Sequence, residues 1–365
     1  MKIKILLLML VLVLTASLII AGCSDANKEV KSEEEMPQSF TLQFATFWPA
    51  VDFQVAEGHE VWAKEISDRV SAETTHTVDF AWHYGGALLG PTEIYEGVAN
   101  GAADIGSTCP SYTMGIFPLT MGIELPGYSN DNALVASLTI NEAWKQSKDL
   151  QAEYDDVKVM FFWATGPGDF ITNKPVEKLE DLSGLQIRAA GGSALVISAL
   201  GGTPVSLPMS ESYVSLDSGI VDGILAPTDT LKGFKLAEVT KYVIKTPFDG
   251  YNVVFMKIMN KDTWNSLPES VQKIFDEVNE KYVEEYGKLR TDNTILGQKY
   301  GVDEYGHQIF ELDQAEKDRW LEKILPIVDN WTADVKGRGL PAEEILDLYK
   351  ELDSKYSDMY GIYGE

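Results

Sequence analysis

Between Asp181 and Pro227 short apolar runs are separated by glycine breaks: Leu185 to Arg188, Ala194 to Leu200, Val205 to Leu207 and Val221 to Leu225. The short runs suit strands buried on both faces. The run Ala194 to Leu200, closed by Gly201-Gly202, suits a helix, and a shorter helix starts near Ser210. Together they predict an alternating α/β unit whose strand ends open toward a crevice. Upstream, Thr41 to Thr46, Val78 to His83, Ala103 to Gly106 and Val157 to Trp163 read as strands. A helix begins near Asp52 with Val55, Trp62, Ile66 and Val70 inward, a second covers Ala133 to Tyr154, and Gly166-Pro167-Gly168-Asp169 marks a crossing into a second lobe. Downstream, Asn252 to Met259 reads as a strand. Val271, Ile274, Phe275, Val278, Tyr282, Tyr286 and Leu289 then form one inward stripe on a helix. That helix runs for about 30 residues, or about 45 Å, with Ser266 and Glu269 as a capping box and Pro268 in its first turn. Helices over Gln314 to Lys336 and Ala342 to Tyr360 are expected to pack on the second lobe.

Charge sharpens this picture at one point. Arg188 is the only cation between Lys178 and Lys232, and it ends a strand of the α/β unit. It serves either as a structural partner for a helix end or an acid, or as a planar fork that holds a carboxylate with two parallel hydrogen bonds. The chain as a whole is acidic, with a formal charge of −26. Such a surface repels nucleic acid and anionic lipid, so an anion would have to be captured locally, in a closed cleft.

The first residues join Lys2 and Lys4 to a long apolar run ending in small residues, the pattern of an export signal, with a membrane anchor as the alternative. Ile20-Ala21-Gly22-Cys23 resembles the bacterial lipobox, which implies cleavage before Cys23 and lipid attachment to it. Ser24 to Ser39 would then be a solvated tether, and loss of residues 1–22, which hold Lys2 and Lys4 but no acid, takes −26 to −28. The remaining cysteine, Cys109, reads as a packed thiol, and no disulfide or thiolate zinc site is available to it. The four histidines lack metal-ligand spacing, and no HExxH, GxSxG or Walker pattern occurs. Ser270-Val271-Gln272-Lys273 matches a serine–lysine pattern only over four residues of an amphipathic helix.

DLSGLQIR, LGGTPVSLPMSESYVSLDSGIVDG and the trailing Pro227, together with GGALLGPTEIYEGVANGAADIG, resemble the signature regions of the DctP-type solute-binding proteins of TRAP (tripartite ATP-independent periplasmic) transporters. The resemblance implies an α/β, two-lobed periplasmic-binding-protein-like fold of type II, with hinge crossings and a long helix spanning both lobes. Lobe I would comprise 40–165 plus 250–290, and lobe II 166–249 plus 291–365. In that family the residue matching Arg188 receives the carboxylate of the solute. The same likeness puts Phe47, Trp48 and Met209 on the cleft, beside the strand-end hydroxyls of Thr108 and Tyr112. With Trp163 and Phe248 they describe walls for an apolar body. Gly168 and Ala226 stand where sialic-acid-type members carry arginine and asparagine, which disfavours a large sugar acid. The implied protein is not an enzyme and needs no cofactor. It is a lipid-anchored extracytoplasmic receptor for a small organic carboxylate that delivers to a TRAP permease. The alternatives are an ABC-type or sensor-linked binding protein and, in another class, a secreted hydrolase.

Overall fold

Two sheets organise the chain. The computed structural model describes residues 36–113, 115–128, 132–246, 251–361 and 363; the leader, Cys23 and Phe248 lie outside them. The first sheet holds β1 (Ser39–Thr46), β2 (Thr77–His83), β3 (Ile105–Thr108), β4 (Val157–Ala164) and β10 (Val254–Asn260), in the order β2-β1-β3-β10-β4. The second holds β5 (Asp169–Thr172), β6 (Gln186–Ala189), β7 (Thr203–Ser206), β8 (Gly223–Ala226), β9 (Tyr242–Lys245) and β11 (Gln308–Glu311), in the order β11-β9-β5-β8-β6-β7. β1 runs parallel to β2 and β3, and β6 parallel to β7 and β8. Each sheet therefore has a parallel part whose carboxyl ends carry loops suited to ligand contact.

The chain passes from one sheet to the other at 165–168 and returns between β9 and β10. The two passages are tied to each other: the amide of Thr165 donates to Val253 O (2.9 Å), and that of Gly168 to Tyr251 O (2.9 Å). The Val253 amide returns a bond to Thr165 Oγ1 (2.9 Å).

Helices cover both sheets. In the first lobe, α1 (Glu60–Glu73) follows a π turn over Gln54–His59, and its Trp62, Ile66 and Val70 are fully buried, as the spacing predicts. The helix expected over Ala133 to Tyr154 breaks at Ser147, whose side chain accepts from the Leu150 amide, leaving α2 (Ala133–Gln146) and a short turn beyond. α2 also protects the edge strand β4, a place where unpaired backbone is a liability. Asn141 accepts from the Phe162 amide (3.0 Å) and donates to its carbonyl (2.6 Å), and Ser137 Oγ accepts from the Ala164 amide (3.0 Å). Asn141→Ala strands two buried backbone groups at about 1–3 kcal/mol each. A matching fall in urea-unfolding free energy is the expected result.

In the second lobe lie α3 (Ser193–Ala199) and α4 (Thr230–Gly233). The long helix α5 (Glu269–Tyr305) has 37 residues, roughly 55 Å, and stops at Gly306 with φ 70. The capping box is not formed. Ser266 ends a preceding short helix and spends its hydroxyl on Thr263 O (2.7 Å), so Pro268 stands at the N-cap without a side-chain bond. Val271, Ile274, Phe275, Val278, Tyr282 and Tyr286 are buried as expected, but the stripe continues to Arg290, while Leu289 is only partly covered.

Pro326 divides the first tail helix into α6 (Gln314–Ile324) and α7 (Pro326–Gly337). α6 packs on the second lobe, with Trp320 edge-on to Phe170 (5.6 Å). α8 (Ala342–Tyr360) packs instead on α2 of the first lobe, and Tyr349 donates to Leu119 O (3.3 Å). The expected placement of the whole tail on the second lobe is thereby corrected: the apolar face of α8 finds its cover across the molecule.

Candidate binding cleft

The parallel strand ends of the two sheets face a narrow cleft. β1 ends at Thr46 and delivers Phe47 and Trp48; β3 ends at Thr108 and delivers Cys109 and Tyr112. From the other lobe, β6 carries Arg188, the turn after β7 carries Met209, and the loop after β8 carries Pro227 and Asp229.

Arg188 is 1 % exposed. Its Nε donates to Leu207 O (2.8 Å), which fixes the plane of the guanidinium, and a terminal nitrogen reaches the Tyr112 hydroxyl (3.4 Å). That hydroxyl also accepts from the Met209 amide (2.9 Å), so Tyr112 of the first lobe bonds two groups of the second. Burial pushes the Tyr112 hydroxyl up to about 12, which keeps it a neutral donor and acceptor at neutral pH. Among the described residues no carboxylate lies within ion-pair distance of Arg188, and its remaining donors have no protein partner there. A buried cation without an acid is costly unless something else supplies the negative charge.

The walls are aromatic. Phe47 and Trp48 stack (3.9 Å between ring centres), Tyr112 meets Phe47 edge-on (5.4 Å), and Phe255 meets Trp48 edge-on (5.1 Å). The far wall is ionic: Arg290 of α5 pairs with Asp229 (2.7 Å), and its guanidinium lies over the Phe255 ring (5.1 Å).

Of the residues expected at a cleft, Arg188, Phe47, Trp48, Tyr112 and Met209 line it together. Thr108 does not reach it, because its hydroxyl is spent on Pro91 O (3.0 Å). Trp163 stands one layer back, against Trp48 (5.9 Å), with its indole N–H on Gln54 Oε1 (3.0 Å). Phe248 lies outside the described residues. Cys109 does line the cleft, and burial raises its thiol pKa, so it stays protonated. Sequence reasoning missed Arg290, Asp229, Gln54, Tyr251 and Phe255. Only Arg290 left a signal: it follows Tyr286 by four residues on the apolar face of α5, a cation where the stripe calls for an apolar residue. Gly168, singled out for its lack of a side chain, is required by packing, since a Cβ there would lie 2.1 Å from the Tyr251 ring.

Behind the cleft Glu124 is buried, accepting from Ser111 Oγ (3.0 Å) and the Val254 amide (3.0 Å), and burial pushes it up to about 8. The folded chain keeps a proton there that the unfolded chain releases above its ordinary 4.5. This contribution to stability is complete below that value and is lost as pH rises through about 8. Glu124→Gln is expected to flatten the fall in melting temperature between about pH 5 and about pH 8.

The family model described as "Bacterial extracellular solute-binding protein, family 7" (DctP) matches residues 45–334. The chain belongs to the DctP family. A TRAP periplasmic solute-binding protein from Desulfovibrio salexigens, solved as an open complex, is 29% identical with a TM-score of 0.73, covering 89% of this chain and 97% of its own. One from Rhodoferax ferrireducens, solved with copurified benzoate, is 25% identical with a TM-score of 0.81, covering 87% and 99%. The C4-dicarboxylate-binding periplasmic protein DctP of Rhodobacter capsulatus is 27% identical over 213 residues, 56% of this chain and 62% of that protein. A DctP-family chain is an extracytoplasmic solute receptor of the TRAP type and not an enzyme, which removes the hydrolase alternative. Among the described residues no helix is long and apolar enough to cross a membrane.

Proposed function

We propose that this chain is the lipid-anchored receptor of a TRAP-type secondary transporter, capturing a small organic acid with an apolar body and delivering it to the membrane permease. One observation carries the reading: Arg188 is buried in an aromatic cleft and, among the described residues, has no acid paired with it. The solute carboxylate completes that ion pair and takes the free edge of the guanidinium, while Phe47, Trp48 and Met209 pack on its body. The benzoate found in the Rhodoferax protein has this chemistry. Cys23 is the lipid-bearing residue, and the tether holds the receptor near its permease.

Capture proceeds by closure about the paired passages at 165–168 and 251–253. Tyr112 bonds to Arg188 and Met209 only when the lobes meet, and a solute held from both sides shifts the population toward that form. A thermal-shift screen of small carboxylates against neutral analogues tests the reading. Aromatic and other apolar monocarboxylates are expected to raise the melting temperature by mass action. A rise with the neutral analogues alone would overturn it.

A further inference from the structure

The cleft is electrostatically lopsided. At one end Arg188 is paired with no acid among the described residues. At the other, Arg290 faces two: its terminal nitrogen lies 2.7 Å from Asp229 Oδ2, and Asp52 adds a second carboxyl nearby, anchored through Oδ1 by the Gln54 amide (2.9 Å). The Arg290 guanidinium also lies over Phe255 and Phe53 (5.1 and 5.7 Å). Hydrogen bonding in this wall is nonetheless incomplete. Arg290 Nε and Asp229 Oδ2 are both buried without a hydrogen-bond partner, and both residues line the cleft; Asp52 Oδ2, also unpartnered, lies behind them toward Gly233. Buried polar groups of this kind are normally satisfied.

We propose that Asp229 and Arg290, with the Asp52 carboxyl behind them, form a second subsite that takes a neutral hydrogen-bonding group of the solute, a hydroxyl in the first instance, and rejects a second carboxylate. The inference rests on Arg188 as the seat of the first carboxylate. A hydroxyl suits a wall that offers both acceptors and donors, since it donates to a carboxylate oxygen and accepts from a guanidinium N–H. A carboxylate has no proton to give, and it would enter a dry wall where two acids already resist ionisation. Burial pushes Asp52 up to about 7 and Asp229 up to about 6. Arg290 cannot welcome a third acid, because its charge is already engaged. The preferred solutes are therefore hydroxylated monocarboxylates, and dicarboxylates of equal size are poor ones.

Calorimetric titration of the purified chain with benzoate, 3- and 4-hydroxybenzoate, isophthalate and terephthalate tests this, because each dicarboxylate replaces a hydroxyl at the same ring position. The better hydroxybenzoate is expected to bind about tenfold or more tighter than its dicarboxylate counterpart. Asp52→Asn, which leaves the Arg290–Asp229 pair in place, is expected to narrow that ratio. Asp229→Asn is expected to bring hydroxybenzoate down to benzoate. Ratios between ligands on one variant are insensitive to a uniform loss of folded protein, and ligand-free melting curves report that loss separately. A dicarboxylate that binds as tightly as the hydroxy acid, or a ratio unmoved in Asp52→Asn, would overturn the subsite while leaving Arg188 in its role. Failure of every acid to bind the unaltered chain would overturn both.

Discussion

Arg188→Lys is expected to weaken acid binding by roughly tens-fold or more, and Arg188→Met to abolish it while raising the melting temperature of the ligand-free protein. The arginine is held flat by Leu207 O and meets Tyr112, so its remaining donors point from a fixed plane. A carboxylate meeting that edge gains two charge-assisted bonds, each worth about 1.5–3 kcal/mol, and a tenfold change in affinity needs only about 1.4 kcal/mol. Lysine keeps the charge but offers a single ammonium without the fork, and it gives up the Leu207 bond that orients the side chain. Loss of one of two bonds is therefore the least that is expected. Methionine removes the charge altogether. Without solute none of the described acids pairs with that buried charge, so its removal relieves a cost that the solute otherwise offsets. Calorimetry with the best acid from the screen and parallel melting curves read both effects. Affinity within twofold for the lysine variant would remove Arg188 from the site.

The residues that were legible in the chain are those whose role is set by near neighbours. Arg188 stands out because its strand, the glycine break after it and the absence of other cations all lie within one α/β unit. Tyr112 follows from a strand end, since a side chain just past a parallel strand faces the crevice, whereas Phe47 and Trp48 are put there by the likeness to the DctP family. What escaped depends on partners distant in sequence. β5, β9 and β11 have four residues each and exist only because they pair with one another and with β8. Asp229 and Arg290 are 61 positions apart, and nothing local marks either as half of a pair. Trp163 and Thr108 were expected on the cleft from strand position alone. Their hydrogen bonds to Gln54, in the π turn, and to Pro91, in a loop, come from segments that the pattern of apolar residues does not locate. α8 could be recognised as an amphipathic helix, but not which lobe would cover its apolar face.

Gly297→Ala is expected to destabilise the protein and weaken solute binding together, although alanine is the better helix former. Propensity favours the change by about 1 kcal/mol in the interior of α5. Against it, a Cβ at 297 would lie 2.2 Å from Thr228 O and 2.6 Å from Asp229 Cα, backbone atoms that no side-chain rotation can move. Overpacking of this kind costs about 1–3 kcal/mol even where side chains can adjust, so the clash wins. The segment that must yield also holds the second-lobe half of the far wall. Thr228 Oγ1 donates to Thr294 O (2.8 Å), and Asp229 pairs with Arg290, two turns from Gly297 on the same face of α5. Separating helix and segment lengthens that buried pair, and breaking such pairs is strongly destabilising. Gly337→Ala is the control, since a Cβ there meets nothing within 4 Å. Denaturant unfolding should show a loss of about 2 kcal/mol or more for position 297 and none for 337. Calorimetry should show weaker binding only for the first. An unfolding free energy equal to that of the unaltered chain would mean that α5 does not lie against the 228–229 segment in solution, and that the far wall is assembled some other way.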